Sequence, residues 1–463
     1  MNNTRREFLK LGSSAAIGAL IPSGLLASAQ SPVTLTALPA NVQLAPTGYP
    51  KTEIWGFDGT TPGTLIRVKQ GETVRRRFVN NLPEASSVHW HGLRLENAMD
   101  GVAGLTQEAV PPGESFDYAF NAKDAGTFWY HAHTNSVEQV ARGLYGPLIV
   151  DEPEAPDVDS DEVLILDDWA MNPETAQLDP DFTSRHDRSH AGRRGNYVTT
   201  NGEPYAERRA ARNQRIRLRL INAANARIFQ LGLDGLEGWI MALDGMPLAQ
   251  PEPVAKVFLL APGQRMDLFV DVTAQSGKTA HLFRVDDDEA LSQVAFAVGD
   301  EAGSRRVPPP PLPENPDMDV PGYEQAPLFD LHMEGGAMGG LQSALFNGKR
   351  MSFRQLVDVN QFWSFNGTVG LTDAPLAAVV SGRTARVKIR NDTAFPHAMH
   401  LHGMHMREVL KDGGLGPLRD TVLLFGDDTR EFAFVAGKPG KWIFHCHMLG
   451  HTASGMATWI DVT

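Results

Sequence analysis

The side chains of this chain that could do chemistry are concentrated in four short stretches. The segment His445-Cys446-His447-Met448-Leu449-Gly450-His451, with Met456 just beyond it, sets the only cysteine of 463 residues between two histidines. Ten of the fifteen histidines fall in four groups: His89/His91, His131/His133, His397/His400/His402 and His445/His447/His451. Each group holds a pair one residue apart. Neutral imidazoles and thiolates are ligands for transition metals. Core histidines satisfied by hydrogen bonds explain most single pairs of this kind, but not four pairs matched between repeats. On a β-strand, residues i and i+2 face the same side. Each pair therefore presents two imidazoles together, while Cys446 faces away from His445 and His447. One strand then serves two metal sites on its opposite faces.

The residue types suggest which metal. His397, Cys446, His451 and Met456 supply two imidazoles, a thiolate and a weak thioether, the donor set of a blue-copper electron-transfer centre. The eight remaining histidines of the four groups would hold a cluster of copper ions. Imidazole suits copper and zinc alike, but thiolate with thioether favours copper, and zinc has no redox role.

The elements that must position these residues read as β, and they repeat. Phe78-Val-Asn-Asn-Leu-Pro83 leads into Val88-His-Trp-His-Gly-Leu93, as Ile389-Arg-Asn-Asp-Thr393 leads into Met399-His-Leu-His-Gly-Met404. Ala125-Gly126-Thr127-Phe128-Trp129-Tyr130-His131-Ala132-His133 aligns without a gap to Pro439-Gly440-Lys441-Trp442-Ile443-Phe444-His445-Cys446-His447. A third copy of the lead-in, Arg219-Leu-Ile-Asn-Ala-Ala224, has no histidine pair after it. Short runs such as Ile216-Arg-Leu-Arg-Leu-Ile221 and Ala385-Arg-Val-Lys-Ile389 alternate apolar and polar residues, as strands do. Turn clusters such as Pro111-Pro112-Gly113 separate them. An all-β chain of three sandwich or barrel modules is expected: residues 30–152, 153–306 and 328–463, the middle one without metal ligands. Residues 307–327 hold eight prolines and read as a linker.

Residues 1–29 read as an export signal rather than as part of the fold. Arg5-Arg6 precede an uncharged, Ala/Gly/Ser-rich stretch that ends in Ala27-Ser28-Ala29, a small-residue cleavage pattern. Pro22 and the glycines and serines make it a poor membrane anchor. The stretch resembles a twin-arginine signal, a route that carries folded proteins through the export machinery to the periplasm. An exported chain with one cysteine cannot form an internal disulfide, and a free thiol there is a liability unless it is buried or metal-bound. The net charge of -13 argues against nucleic acid or an anionic membrane as the main partner.

Together these motifs resemble those of bacterial three-domain multicopper oxidases, the laccase and cuprous-oxidase family. The resemblance runs through HWHG, Asp100-Gly101, Thr106-Gln107, YHAH, GLYGPLIV, Asp244-Gly245, APGQRMD, HAMHLHG, Asp420-Thr421 and HCHxxxHxxxxM. It implies three cupredoxin-like Greek-key domains and four copper ions per monomeric chain. By position, His397, Cys446, His451 and axial Met456 would hold the type 1 copper, which takes electrons from a small reducing substrate. His89 and His400 would hold the type 2 copper. His91, His131 and His447 would hold one type 3 copper, and His133, His402 and His445 the other. Molecular oxygen would be reduced to water there by four electrons. Asp100 falls where the family has an acidic residue near the cluster, as a proton donor or as an orienter of ligands. Many bacterial relatives carry an acidic residue directly after the second type 1 histidine, where this chain has Thr452.

Several residues fit no ligand position. His405 reads as a surface residue or one behind the ligands. His186 and His190 have the i,i+4 spacing of a helical metal site, but TSRHDRSHAGRRG looks like a charged loop. Met399, Met404, Met406 and Met448 read as packing or as a docking path for Cu(I), and His332, Met333 and Met338 raise the same alternative. The chain lacks the long methionine-rich insert of specialised cuprous oxidases. A copper-storage or electron-transfer protein is the competing class, but a carrier has no use for eight further paired histidines. Copper-free structural relatives lose the ligands that are kept here. Phenols, aromatic amines, Cu(I) and Mn(II) all remain open as substrates.

Overall fold

The computed structural model describes residues 31–301 and 303–463, so the arginine pair and the apolar stretch after it lie outside the described residues. Three pairs of β-sheets follow one another along the chain. In the first pair, Thr52–Phe57, Val33–Val42, Thr73–Asn80 and Ser115–Asn121 form one sheet in that order, and Ile66–Lys69, Tyr145–Asp151, Gly126–Ala132 and Val88–His91 form the other. The middle pair has six and five strands, and the last pair again six and five. Each of these six sheets mixes antiparallel neighbours with one parallel pair, such as Val33–Val42 with Thr73–Asn80 and Leu328–Gly335 with Thr384–Asp392. A parallel pair cannot be closed by a hairpin, so the chain crosses between sheets in the manner of a Greek key. The fold is all-β, and among the described residues no helix is long and apolar enough to cross a membrane.

Alternation works differently in the last and middle modules. In Thr384–Asp392, Ala385, Val387 and Ile389 are buried while Lys388 and Arg390 face solvent. In Arg215–Asn222 every residue is buried. The arginines of that strand alternate as the pattern implies, but their face packs against other parts of the chain. Each is neutralised there: Arg215 by Asp271, Arg217 by Asp267 and Glu152, and Arg219 by Asp161. Arg219 also reaches Thr127 of the first module at 3.0 Å, so the polar face becomes a seam between modules.

The proline-rich stretch 307–327 holds no strand and one 3-10 turn, Tyr323–Gln325. It is bound along its length. The Asn315 amide donates to the Ala125 carbonyl and its oxygen accepts from the Ala125 N–H, both at 2.8 Å. The stretch thereby crosses the first module on its way from the middle one to the last.

Candidate metal centres

Two pairs of strands carry most of the candidate ligands. Val88–His91 runs antiparallel to Gly126–Ala132 with His89 opposite His131. His397–Leu401 runs antiparallel to Gly440–Cys446 with His400 opposite His445 and Met399 opposite Cys446. The first pair belongs to the first module and the second to the last, and the histidines of the two meet between the modules. Glycines make the approach possible. A Cβ on Gly92, at φ +87°, would stand 2.1 Å from the Arg265 guanidinium and 2.7 Å from Asp420. One on Gly263, at φ +80°, would meet the His447 ring at 2.8 Å.

The donors converge in distinct groups. His397, Cys446 and His451 form one, with His397 Nδ1 3.1 Å from His451 Nδ1, and Cys446 Sγ 3.6 Å and 3.8 Å from them. All three residues and Met456 are fully buried. Met456 is tied to this strand end, since its carbonyl accepts the Cys446 N–H at 3.1 Å. The other groups overlap: His89 with His91 and His400, His91 with His131 and His447, and His133 with His402 and His445. Two rings from the first module stack on two from the last, His89 on His402 and His91 on His400, each at 3.7 Å. The ten histidines of the four sequence groups thus divide into two at the cysteine site and eight in the cluster, and Cys446 lies on the opposite strand face from His445 and His447.

The outer nitrogen of most rings is held, which fixes the tautomer and leaves the inner nitrogen a free lone pair. His89 donates from Nδ1 to the Asp100 carbonyl at 2.8 Å, and His402 from Nδ1 to the Asp100 carboxylate at 2.9 Å. His131 and His400 donate from Nδ1 to the carbonyls of Ala132 and Asp420. His445 Nδ1 donates to the Cys446 carbonyl, which also accepts the Thr452 hydroxyl. At the cysteine site the order is reversed. His397 Nε2 donates to Thr393 Oγ1 at 2.8 Å and His451 Nε2 to the His190 carbonyl at 2.7 Å, so both Nδ1 atoms face Cys446.

The inner atoms fit metal. His89 Nε2, His91 Nδ1, His131 Nε2, His400 Nε2 and both nitrogens of His447 are buried without a hydrogen-bond partner. Buried unpaired nitrogens are costly, and a cluster of them is explained by an electrophile that all of them face. The rings are also kept neutral. Burial, and then neighbouring imidazoles, hold His131, His402, His445 and His447 well below the usual histidine range, and His133 goes down to about 3. Burial pushes the Cys446 thiol up to about 12, so a metal ion must displace its proton to bind the thiolate.

A second layer of charge lies behind the ligands and joins the last module to the middle one. Asp420 lies 3.2 Å from His91 Nε2 and from His400 Nδ1. Burial alone would raise its carboxyl, but Arg265 and then His91 outweigh that and hold it well below the usual carboxylate range. Arg265 is fully buried and binds both oxygens of Asp420, at 2.9 Å and 2.6 Å. The same guanidinium donates to the carbonyls of Thr127, Gly263 and Asp244, so one side chain joins all three modules. Asp244 in turn receives Arg419 at 2.9 Å. Sequence reasoning had Asp420, Arg265 and Asp244 only as pieces of matched motifs and gave them no role, and it did not mark Arg419.

Three weighed residues take definite places. His405 is not at the surface: it is 5 % exposed, with Nε2 3.4 Å from Asp420 Oδ2, behind the ligands. The expected charged loop around His186 contains a short helix, Arg185–Ser189, capped by the Ser184 side chain. His186 and His190 stack at 4.0 Å with their planes 28° apart, so they present ring faces rather than converging lone pairs.

Paired sheets of this topology, carrying one cysteine-containing donor group and a shared histidine cluster, define a cupredoxin-like, multi-site copper protein. The chain belongs to the multicopper oxidase family: models of that family match residues 40–155, 160–298 and 347–463. It is 30% identical to multicopper oxidase MmcO of Mycobacterium tuberculosis, over 92% of this chain and 86% of that one. Among solved structures it is similar to a multicopper oxidase from Pseudomonas thermotolerans, with TM-score 0.81, 32% identity, and 94% of this chain and 100% of that one covered. It is also similar to Lac15 from a marine microbial metagenome, with TM-score 0.75, 41% identity, and 93% and 100% covered. The protein is a copper oxidoreductase that couples oxidation of a reducing substrate to reduction of dioxygen.

Proposed function

We propose that this chain is an exported laccase-like oxidase whose reducing substrates are phenols and aromatic amines. His397, Cys446, His451 and Met456 are the type 1 ligands. His89 and His400 hold the type 2 ion, and His91, His131, His447 and His133, His402, His445 hold the two type 3 ions. Copper held by these residues would supply one-electron uptake from the substrate and four-electron reduction of dioxygen to water. The protein's own part is to fix and protect. Asp100 accepts from His89 and His402, one residue from each half of the cluster, and so orients ligands across the module boundary. That position also suits it to hand protons to oxygen being reduced there. Thr452 occupies the place of the acidic residue found in relatives, and its hydroxyl, beside His445 Nδ1 at 3.2 Å, serves as an orienter. Every donor comes from one chain, which supports a monomer as the working unit. Arg5-Arg6 and the stretch that follows support delivery to the periplasm by the twin-arginine route.

The observation that carries the choice of substrate is the burial of the methionines. Met399, Met404, Met406 and Met448 are 0–2 % exposed and lie within the apolar core, and only Met404 borders a surface cavity, so they offer Cu(I) no group of soft donors open to solution. Of the other methionines considered, Met333 is fully buried and Met338 stands exposed alone. His332 is engaged by Asp392 at 3.0 Å. A Cu(I) substrate site needs several soft donors together at the surface. Oxygen uptake by the copper-loaded protein tests the reading, with a simple phenol compared against Cu(I) and Cys446→Ser as the autoxidation blank. Faster uptake with the phenol is expected. Uptake with Cu(I) alone would overturn the substrate assignment and return the methionines to a binding role.

A further inference from the structure

The segment Arg185–His190 of the middle module carries no type 1 ligand, yet it closes the face of the cysteine site. Two of its backbone carbonyls do this. The His190 carbonyl accepts His451 Nε2–H at 2.7 Å, and the Arg188 carbonyl accepts the Trp363 indole N–H at 2.6 Å. The Trp363 ring lies against both site histidines, 4.5 Å from His451 and 5.0 Å from His397. A loop of the last module is stitched to the same segment, through Ala337 N–H to the Ser189 carbonyl at 2.7 Å. His451 is fully buried as a result, and its outer N–H is already used. A substrate therefore meets His190 before it meets His451.

His190 is half-buried and His186 is exposed, with their rings stacked. His190 Nδ1 is held by the His186 carbonyl and the Ser189 hydroxyl, each at 3.0 Å, so the ring that faces the site is fixed in place. Phe395 meets its edge, with ring centres 5.7 Å apart. A flat aromatic molecule can extend such a stack, whereas a hydrated metal ion finds no converging donors in it.

We propose that the His186–His190 stack is the platform on which the phenol gives up its electron, and that the His190 carbonyl bonded to His451 is the last link of the path inward. The inference rests on the phenol reading of the preceding section. The phenol loses one electron to the type 1 site and its hydroxyl proton to water, leaving a phenoxyl radical. Four such losses, with four protons and one dioxygen, give two waters, so the oxidant is the one the oxidase activity already supplies. His190 and His186 act as positioning residues: the rings bind the substrate, and the backbone carries the contact to the ligand.

The test uses the copper-loaded full chain with His186→Ala, His190→Ala and the double variant. The probes are 2,6-dimethoxyphenol as substrate, hexacyanoferrate(II) as a donor with no ring to stack, and 4-nitrophenol as a phenol too hard to oxidise. Loss of a stacking partner predicts a KM for dimethoxyphenol raised about fivefold to tenfold in the double variant at unchanged kcat. Binding of 4-nitrophenol, measured by equilibrium dialysis, weakens by the same factor, while blue absorption and hexacyanoferrate kinetics stay as in the wild type. Phenylalanine at both positions restores the phenol KM. If the alanine variants match the wild type in KM and in nitrophenol binding, the platform is wrong while the phenol oxidase reading stands. If the wild type oxidises Cu(I) and no phenol, both fall.

Discussion

The cysteine site and the histidine cluster are built in opposite ways. The cysteine site draws its converging donors, His397, Cys446 and His451, from the last module alone. The cluster takes four histidines from the first module and four from the last, and it exists only where the two are docked. The middle module contributes to both without giving a ligand. To the cysteine site it lends the carbonyl of His190, and to the cluster it lends Arg265, which pins Asp420 behind His91 and His400. A site made by one module depends on that module's fold, whereas a site made at a seam depends on whatever clamps the seam.

The sharpest way to separate the two is Cys446→Ser. The serine hydroxyl is a poor copper ligand, so blue absorption and turnover should both vanish. His445 and His447 point to the other side of the Cys446 strand, so the eight cluster histidines should keep about three coppers of the family's four. Metal analysis beside the visible spectrum checks this. Retained oxidase activity would show that electrons do not pass through Cys446. The converse experiment is Arg265→Met, which leaves Asp420 buried and unpaired at a cost of about 3–5 kcal/mol. The cluster should lose copper while the blue band remains, and denaturant unfolding of the metal-free chain should report the lost stability. If the blue band fades in step with the cluster copper, the two sites are not independent.

How much of this division is legible in the sequence depends on how each part works. His445-Cys446-His447 shows its two-faced role directly, because strand alternation is a period of two and needs no partner to be read. The repeated histidine pairs reveal the seam, since two half-sets in matched modules imply a shared cluster. Arg265, Asp244 and Asp420 appear only inside matched motifs, and that they join one another does not show, because they lie far apart in the chain and follow no period. The burial of the arginines of Ile216–Ile221 does not show either, since a buried arginine among charged neighbours looks like a surface one. Segment 185–190 is hidden more deeply. It acts through carbonyls, which every residue has, so no side-chain pattern marks it. For His405 the sequence leaves two places open, the surface or behind the ligands, and only its approach to Asp420 in the fold selects the second.

Acid and alkali should attack the two sites separately in the metal-free chain. The cluster imidazoles are depressed by burial, with His133 down at about 3. Their unfolded counterparts titrate near about 6.5. The unfolded state therefore takes up protons first as pH falls, and the stability these rings contribute is whole above that value and lost below it. His451, at about 4, adds a smaller part from the cysteine site. Cys446 works in the other direction: its thiol is raised to about 12, so its contribution is whole below the unfolded thiol value and lost as pH rises toward 12. Melting temperature should fall on both sides of neutrality, and Cys446→Ser should flatten only the alkaline side. An alkaline side unchanged by that substitution would remove the thiol as its cause.

The smallest effect, and the most local, belongs to Met456. Its side chain is fully buried in the apolar core that also holds Met399, Cys446 and Met448. Leucine has nearly its volume and no polar atom, so Met456→Leu should cost less than about 1.5 kcal/mol and leave the copper count unchanged. The backbone link is untouched, because the Met456 carbonyl, not its sulfur, accepts the Cys446 N–H. What changes is the thioether that would be a weak donor to the type 1 ion. Removing it withdraws electron density from the oxidised ion, and the type 1 potential should rise. A redox titration against the wild type reads that rise, and the cluster, on the far side of the strand, supplies the internal control. An unaltered potential with intact copper would mean that the thioether only packs against the site.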